Sequence, residues 1–133
     1  MDVLIVQSNQ PLGALWARHL ERLGAAVELA SSGDRAVKLL ETRDFDAIVL
    51  DLVLEEGSAL TVADVAQFRQ PDANVIFVTD TTFFSDGSIF THSGNARAFV
   101  RKGTPPGDLA AIVEHYGQRV SRDHAVENNP IPG

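Results

Sequence analysis

Asp51 closes the most apolar run of the chain, Asp46-Ala47-Ile48-Val49-Leu50-Asp51-Leu52. Open α/β sheets gather their chemistry at the carboxyl edge of buried strands, so a carboxylate there is a candidate nucleophile or metal ligand. Two further runs end in reactive side chains: Asn74 to Thr79 ends on a hydroxyl, and Ala96 to Arg101 is followed by Lys102. An acid, a hydroxyl and a lysine at one sheet edge suit phosphoryl transfer. The carboxylate would attack phosphorus, and lysine and hydroxyl would hold the transferred oxygens, where charge has to be stabilised. The first apolar run, Val3 to Val6, is followed by Gln7 and Ser8, an amide and a hydroxyl at the same edge. The same residues also admit an inert reading. Asp51 and Lys102 would then form a plain ion pair, Thr79 would bond to backbone, and Phe99 would fill the core.

The placement of these residues follows from the order of the elements. Val3 to Val6 lack alternation, as in a strand covered on both faces. Pro11 suits the first turn of a helix whose apolar stripe is Leu12, Leu15, Trp16, Leu20 and Leu23, ending at Gly24. Ala26 to Ala30 form a second strand, and Ser32 caps a helix with Ala36, Val37, Leu39 and Leu40 inward. Phe45 to Leu52 are the third strand, and Ser58 caps the third helix. Strands at Asn74–Thr79 and Ala96–Arg101 flank residues 80–94, where a fourth helix is expected around Gly87. Leu109, Ile112, Val113, Tyr116 and Val120 mark the last helix. The expected fold is a doubly wound five-stranded parallel sheet with five helices in three α/β/α layers. Residues 1–121 form the domain, and residues 122–133 a polar, flexible tail.

Bulk composition narrows the function. The 133 residues suit one core, and 44% apolar with 22% charged residues is ordinary for a globular chain. Eleven basic against 18 acidic residues give a net charge of -7, which argues against nucleic-acid binding. There is no cysteine, so thiolate zinc sites and a cysteine nucleophile are excluded. No apolar run reaches membrane-spanning length and the amino terminus lacks a signal-peptide pattern, so a cytoplasmic location is expected, without membrane contact. The turn Gln7-Ser8-Asn9-Gln10-Pro11 carries no glycine-rich phosphate loop, which weakens a nucleotide-binding reading.

Taken in order and spacing, these stretches resemble the receiver domain of response regulators, the CheY-like family of two-component signalling, over about residues 2–120. The segments that carry the resemblance are Val3 to Val6, Leu23-Gly24 with Val27 and Ala30, Ser32-Gly33 with Ala36, Phe45 to Leu52, Val75 to Thr79, and Phe99 to Lys102. The resemblance implies that Asp51 is the acceptor phosphorylated by a partner histidine kinase or phosphotransfer protein. It implies that Thr79 and Lys102 hold the phosphoryl group and that Phe99 is the aromatic whose rotamer reports it. Beyond such transfer to Asp51 itself, no enzymatic activity is expected.

The departures from that pattern are specific. Gln7 and Ser8 replace the two acids that hold Mg²⁺ in receivers, so Mg²⁺ binding is expected to be weak, with no other cofactor. The loop after Asp51 reaches its glycine, Gly57, two residues early, and Gly103 replaces the usual proline. Asp80 stands where a small residue follows the hydroxyl. Glu55 and Glu56 are either substitute ligands or a solvated turn, and Phe83, Phe84 and Phe90 either core or a partner surface. The sequence reads as a single-domain, atypical receiver in a phosphorelay that signals through contact with a downstream protein and is compatible with a homodimer. The alternative is a docking module that works without phosphorylation.

Overall fold

The computed structural model describes residues 1–79 and 96–128, with side chains through residue 117. Five strands, β1 (Asp2–Val6), β2 (Ala26–Ala30), β3 (Ala47–Asp51), β4 (Asn74–Thr79) and β5 (Ala96–Arg101), form one parallel sheet in the order β2-β1-β3-β4-β5. The described helices are α1 (Gln10–Arg22), α2 (Gly33–Thr42), α3 (Ala59–Arg69) and α4 (Pro106–Asn128). The sheet is as expected, but the helix count is corrected: four helices are present among the described residues, not five. The segment assigned to the other helix, residues 80–94 with Asp80, Phe83, Phe84 and Phe90, lies outside the described residues. The last helix continues past Ser121 and ends at Asn128.

Local chemistry starts each helix. The side chain of Asn9 accepts from the Leu12 N–H, Ser32 Oγ from the Arg35 N–H and Ser58 Oγ from the Thr61 N–H, each satisfying a donor that the helix leaves unpaired. Gly24 follows α1 at φ +94°, the left-handed conformation that costs glycine nothing, and turns the chain into β2.

The period-two geometry of the strands sorts their apolar residues into two layers. Leu4, Val6, Ile48, Leu50, Val75 and Phe77 face α2 and α3, meeting Leu39, Leu40, Val62 and Ala66. Val3, Ile5, Val49, Ile76 and Val78 face α1 and α4, meeting Trp16, Leu20, Leu109 and Val113. The chain moves from β1 outward to β2, then crosses back to β3 on the other side of β1. Strand order therefore reverses between β1 and β3, and the carboxyl edge at such a reversal is where open α/β sheets place their sites.

Candidate functional site at the reversal of strand order

β1 and β3 pair in register with Val6 opposite Leu50, so the next residues, Gln7 and Asp51, come opposite each other at the carboxyl edge. Both are buried, Gln7 4% and Asp51 1% exposed. Gln7 Nε2 donates to Asp51 Oδ2 at 2.7 Å, and Gln7 Oε1 accepts from the Asn9 N–H at 2.9 Å. These two bonds fix the orientation of the amide. Turning it over would set two oxygens against each other on one side and two N–H groups on the other.

Lys102 reaches the same carboxylate. Its Nζ lies 3.1 Å from Asp51 Oδ2, while its backbone N–H is held by the Thr79 carbonyl at 2.8 Å. The lysine side chain is 43% exposed, so one end of the ion pair is solvated and the other is not. Asp51 Oδ1 accepts from the Val53 N–H at 2.9 Å. Among the described residues the carboxylate is thus met by an amide, an ammonium and a backbone N–H.

The remaining expected residues take different places. Ser8 Oγ accepts from the Glu55 N–H at 2.9 Å, tying the turn after β1 to the loop after β3. Glu55 and Glu56 are exposed. Thr79 ends β4 and is buried, one residue beyond the pair Asp51–Val78. Phe99 stacks on Phe77 of β4, with ring centroids 5.2 Å apart, on the side of the sheet that packs against α2 and α3. The structure therefore joins Gln7, Asp51 and Lys102 directly, and places Thr79 on the adjacent strand end.

The donor set does not fit a divalent cation. A cation needs lone pairs, and the group that Gln7 presents to Asp51 is an N–H. Its oxygen and the Ser8 hydroxyl oxygen each already accept from a backbone N–H. Among the described residues, no group of three or more His, Asp and Glu side chains is placed to hold a metal ion. No helix among the described residues is long and apolar enough to cross a membrane.

Residues 3–114 match the response regulator receiver domain family. The chain belongs to that family. The receiver is 28% identical over 119 residues to the acid tolerance regulatory protein ActR of Rhizobium meliloti, covering 90% of this chain and 61% of ActR. It thus spans about three-fifths of the length of that relative. A response regulator receiver domain protein (CheY-like) from Methanospirillum hungatei superposes with a TM-score of 0.83 at 20% identity, covering 92% and 97% of the two chains, a likeness of fold. A response regulator from Burkholderia pseudomallei, solved with a phosphorylated aspartic acid, calcium ion and citrate, superposes with a TM-score of 0.74 at 26% identity, covering 96% of this chain and 74% of that one. Asp51 is the receiver's candidate phosphoacceptor, and its neighbours Gln7 and Ser8 present no carboxylate to a metal.

Sequence reasoning missed the role of Gln7. It registered a lost acid, whereas the side chain is a donor to Asp51. The signal was available in the register, since Gln7 follows Val6 as Asp51 follows Leu50.

Proposed function

We propose that this receiver passes signals by protein–protein contact in a two-component pathway, with Asp51 as its phosphoacceptor. A histidine kinase or phosphotransfer protein would supply the phosphoryl group, and a downstream signalling protein would read the result. A carboxylate oxygen of Asp51 would attack phosphorus as the bond from phosphorus to the donor breaks, and the donor would leave with the bonding electrons. Lys102 would neutralise the phosphoryl oxygens and Thr79 would donate a hydrogen bond to one of them. Phe99 would carry the change toward the face formed by β5 and its neighbours. The observation that carries this reading is the Lys102 Nζ at 3.1 Å from a buried carboxylate at the reversal of strand order.

Incubation with acetyl phosphate, with and without Mg²⁺, followed by intact mass measurement tests it. The expected result is a phosphoryl adduct that disappears in Asp51→Asn. Absence of an adduct, both with acetyl phosphate and with a panel of phosphorylated histidine donors, would leave the second reading. In that reading the domain docks its partner without phosphorylation. The bond from Gln7 Nε2 to Asp51 Oδ2 favours it, because the carboxylate is already satisfied without a phosphoryl group or a cation.

A further inference from the structure

We infer that Gln7 replaces a divalent cation as the tie between the β1 and β3 strand ends, so that the cation-free state is this domain's working state. The inference deepens the receiver reading of the same site, but it rests on geometry that holds whether or not Asp51 is phosphorylated.

A cation at this edge would do two things: balance the negative charge and cross-link the turn after β1 to the end of β3. Both are already done. The Asp51 carboxylate is balanced by the Lys102 ammonium, and its Oδ2 takes two donors at hydrogen-bonding distance. Adding two positive charges to a buried site whose described carboxylate is already paired would incur a desolvation cost with little Coulombic return. The cross-link is made twice. Gln7 bonds Asp51 with one end of its amide and is anchored to the Asn9 N–H by the other. Ser8 Oγ holds the Glu55 N–H across the same gap. An amide suits this task because it is neutral and carries a donor and an acceptor at opposite ends of one planar group. Gln7 is thus a positioning residue for Asp51, and the group it turns toward the carboxylate is an N–H, which offers a cation no lone pair.

The decisive substitution is Gln7→Glu, which keeps the shape and exchanges the donor for a second carboxylate. It turns an internally satisfied pair into two buried acids, the arrangement that calls for a cation. Thermal unfolding of the full chain, followed by the fluorescence of its single tryptophan, Trp16, is measured in EDTA and in 10 mM MgCl₂ or MnCl₂. The wild-type midpoint is expected to move by less than about 1 °C between these conditions, as for a ligand that does not bind the native state. Gln7→Glu is expected to fall by roughly 5–10 °C in EDTA and to recover most of that loss with either cation. Gln7→Met, which loses the donor without gaining charge, is expected to fall without a cation response.

A saturable wild-type stabilisation by Mg²⁺ at millimolar concentration would overturn the inference. So would a Gln7→Glu variant as stable as wild type in EDTA. If Gln7→Glu does not fold without a cation but folds with one, the inference is supported. If it folds in neither condition, the wild-type and Gln7→Met measurements decide. The receiver reading fails separately: a missing phosphoryl adduct leaves these midpoints untouched, and a wild-type cation response leaves adduct formation intact.

Discussion

Asp51 and Lys102 are an unequal pair, and the inequality sets what their loss should cost. The carboxylate is 1% exposed, while the lysine is 43% exposed and keeps much of its hydration. Removing the lysine leaves a buried negative charge without its ammonium partner, still held by the Gln7 amide and the Val53 N–H. Lys102→Met should therefore destabilise the domain by about 1–3 kcal/mol, read as a lowered urea midpoint. Removing the charge as well should recover part of that loss. The Asp51→Asn, Lys102→Met double variant is expected to be less destabilised than the sum of the two single variants by at least about 0.5 kcal/mol. Strict additivity would mean that solvent, rather than the lysine, balances the carboxylate. The meeting of these two residues was legible in the sequence, because residues that end or follow the parallel strands of one sheet converge on one edge. The directions of individual hydrogen bonds were not. Ser8 read as a lost metal ligand, yet it serves as an acceptor for a backbone N–H, a role that depends on loop geometry 47 positions away.

That geometry belongs to the loop between β3 and α3, which is pinned by backbone as much as by side chains. Gly57 has φ +84°, and a Cβ on it would lie 3.0 Å from Gly33 Cα and 3.1 Å from Gly33 N. The Gly33 N–H meanwhile donates to the Glu56 carbonyl at 3.0 Å. Two glycines thus let this short loop rest directly on the first turn of α2. Gly57→Ala adds the left-handed penalty to a contact with unyielding backbone, and should cost about 2–3 kcal/mol in chemical unfolding. Gly13 in α1 is the opposite case. A Cβ there meets Leu29 Cδ2 at 3.4 Å and Gln7 Cβ at 3.5 Å, ordinary packing distances, in a helix where no positive φ is required. Gly13→Ala should therefore stabilise the domain by about 0.5–1 kcal/mol, through helix propensity and a less free unfolded chain. A loss of stability in that variant would show that Leu29 or Gln7 must shift when α1 gains a methyl group. The sequence revealed that the loop was short and that Ser58 capped the helix after it. It could not reveal that Gly33 was what the loop rests on, because the contact joins two separate turns.

Across the molecule, the strands were the most legible part because burial on both faces demands uninterrupted apolar runs, and Val3–Val6, Ala47–Leu50 and Val75–Val78 supply them. Helices were legible where caps and stripes agreed, as at Ser32 and Ser58. The end of α4 was not legible: a tail was expected after Ser121, where the sequence turns polar, and the helix continues to Asn128. The two apolar layers raise a question about cooperativity, since Trp16 lies in the α1 and α4 layer and Leu40 in the α2 and α3 layer. One sheet separates them, and each strand contributes alternate side chains to both. Loss of packing on one face must therefore loosen the backbone that supports the other, and unfolding should be a single transition. Leu40→Ala, at a site 3% exposed, should destabilise by about 2–5 kcal/mol through lost burial and the cavity left behind. Trp16 fluorescence should report that entire loss from the far side of the sheet, at the same urea midpoint as far-UV circular dichroism. If the tryptophan transition stayed at its wild-type midpoint while the dichroism lost part of its amplitude earlier, the α2 and α3 layer would unfold by itself. The sheet would then be two coupled units rather than one.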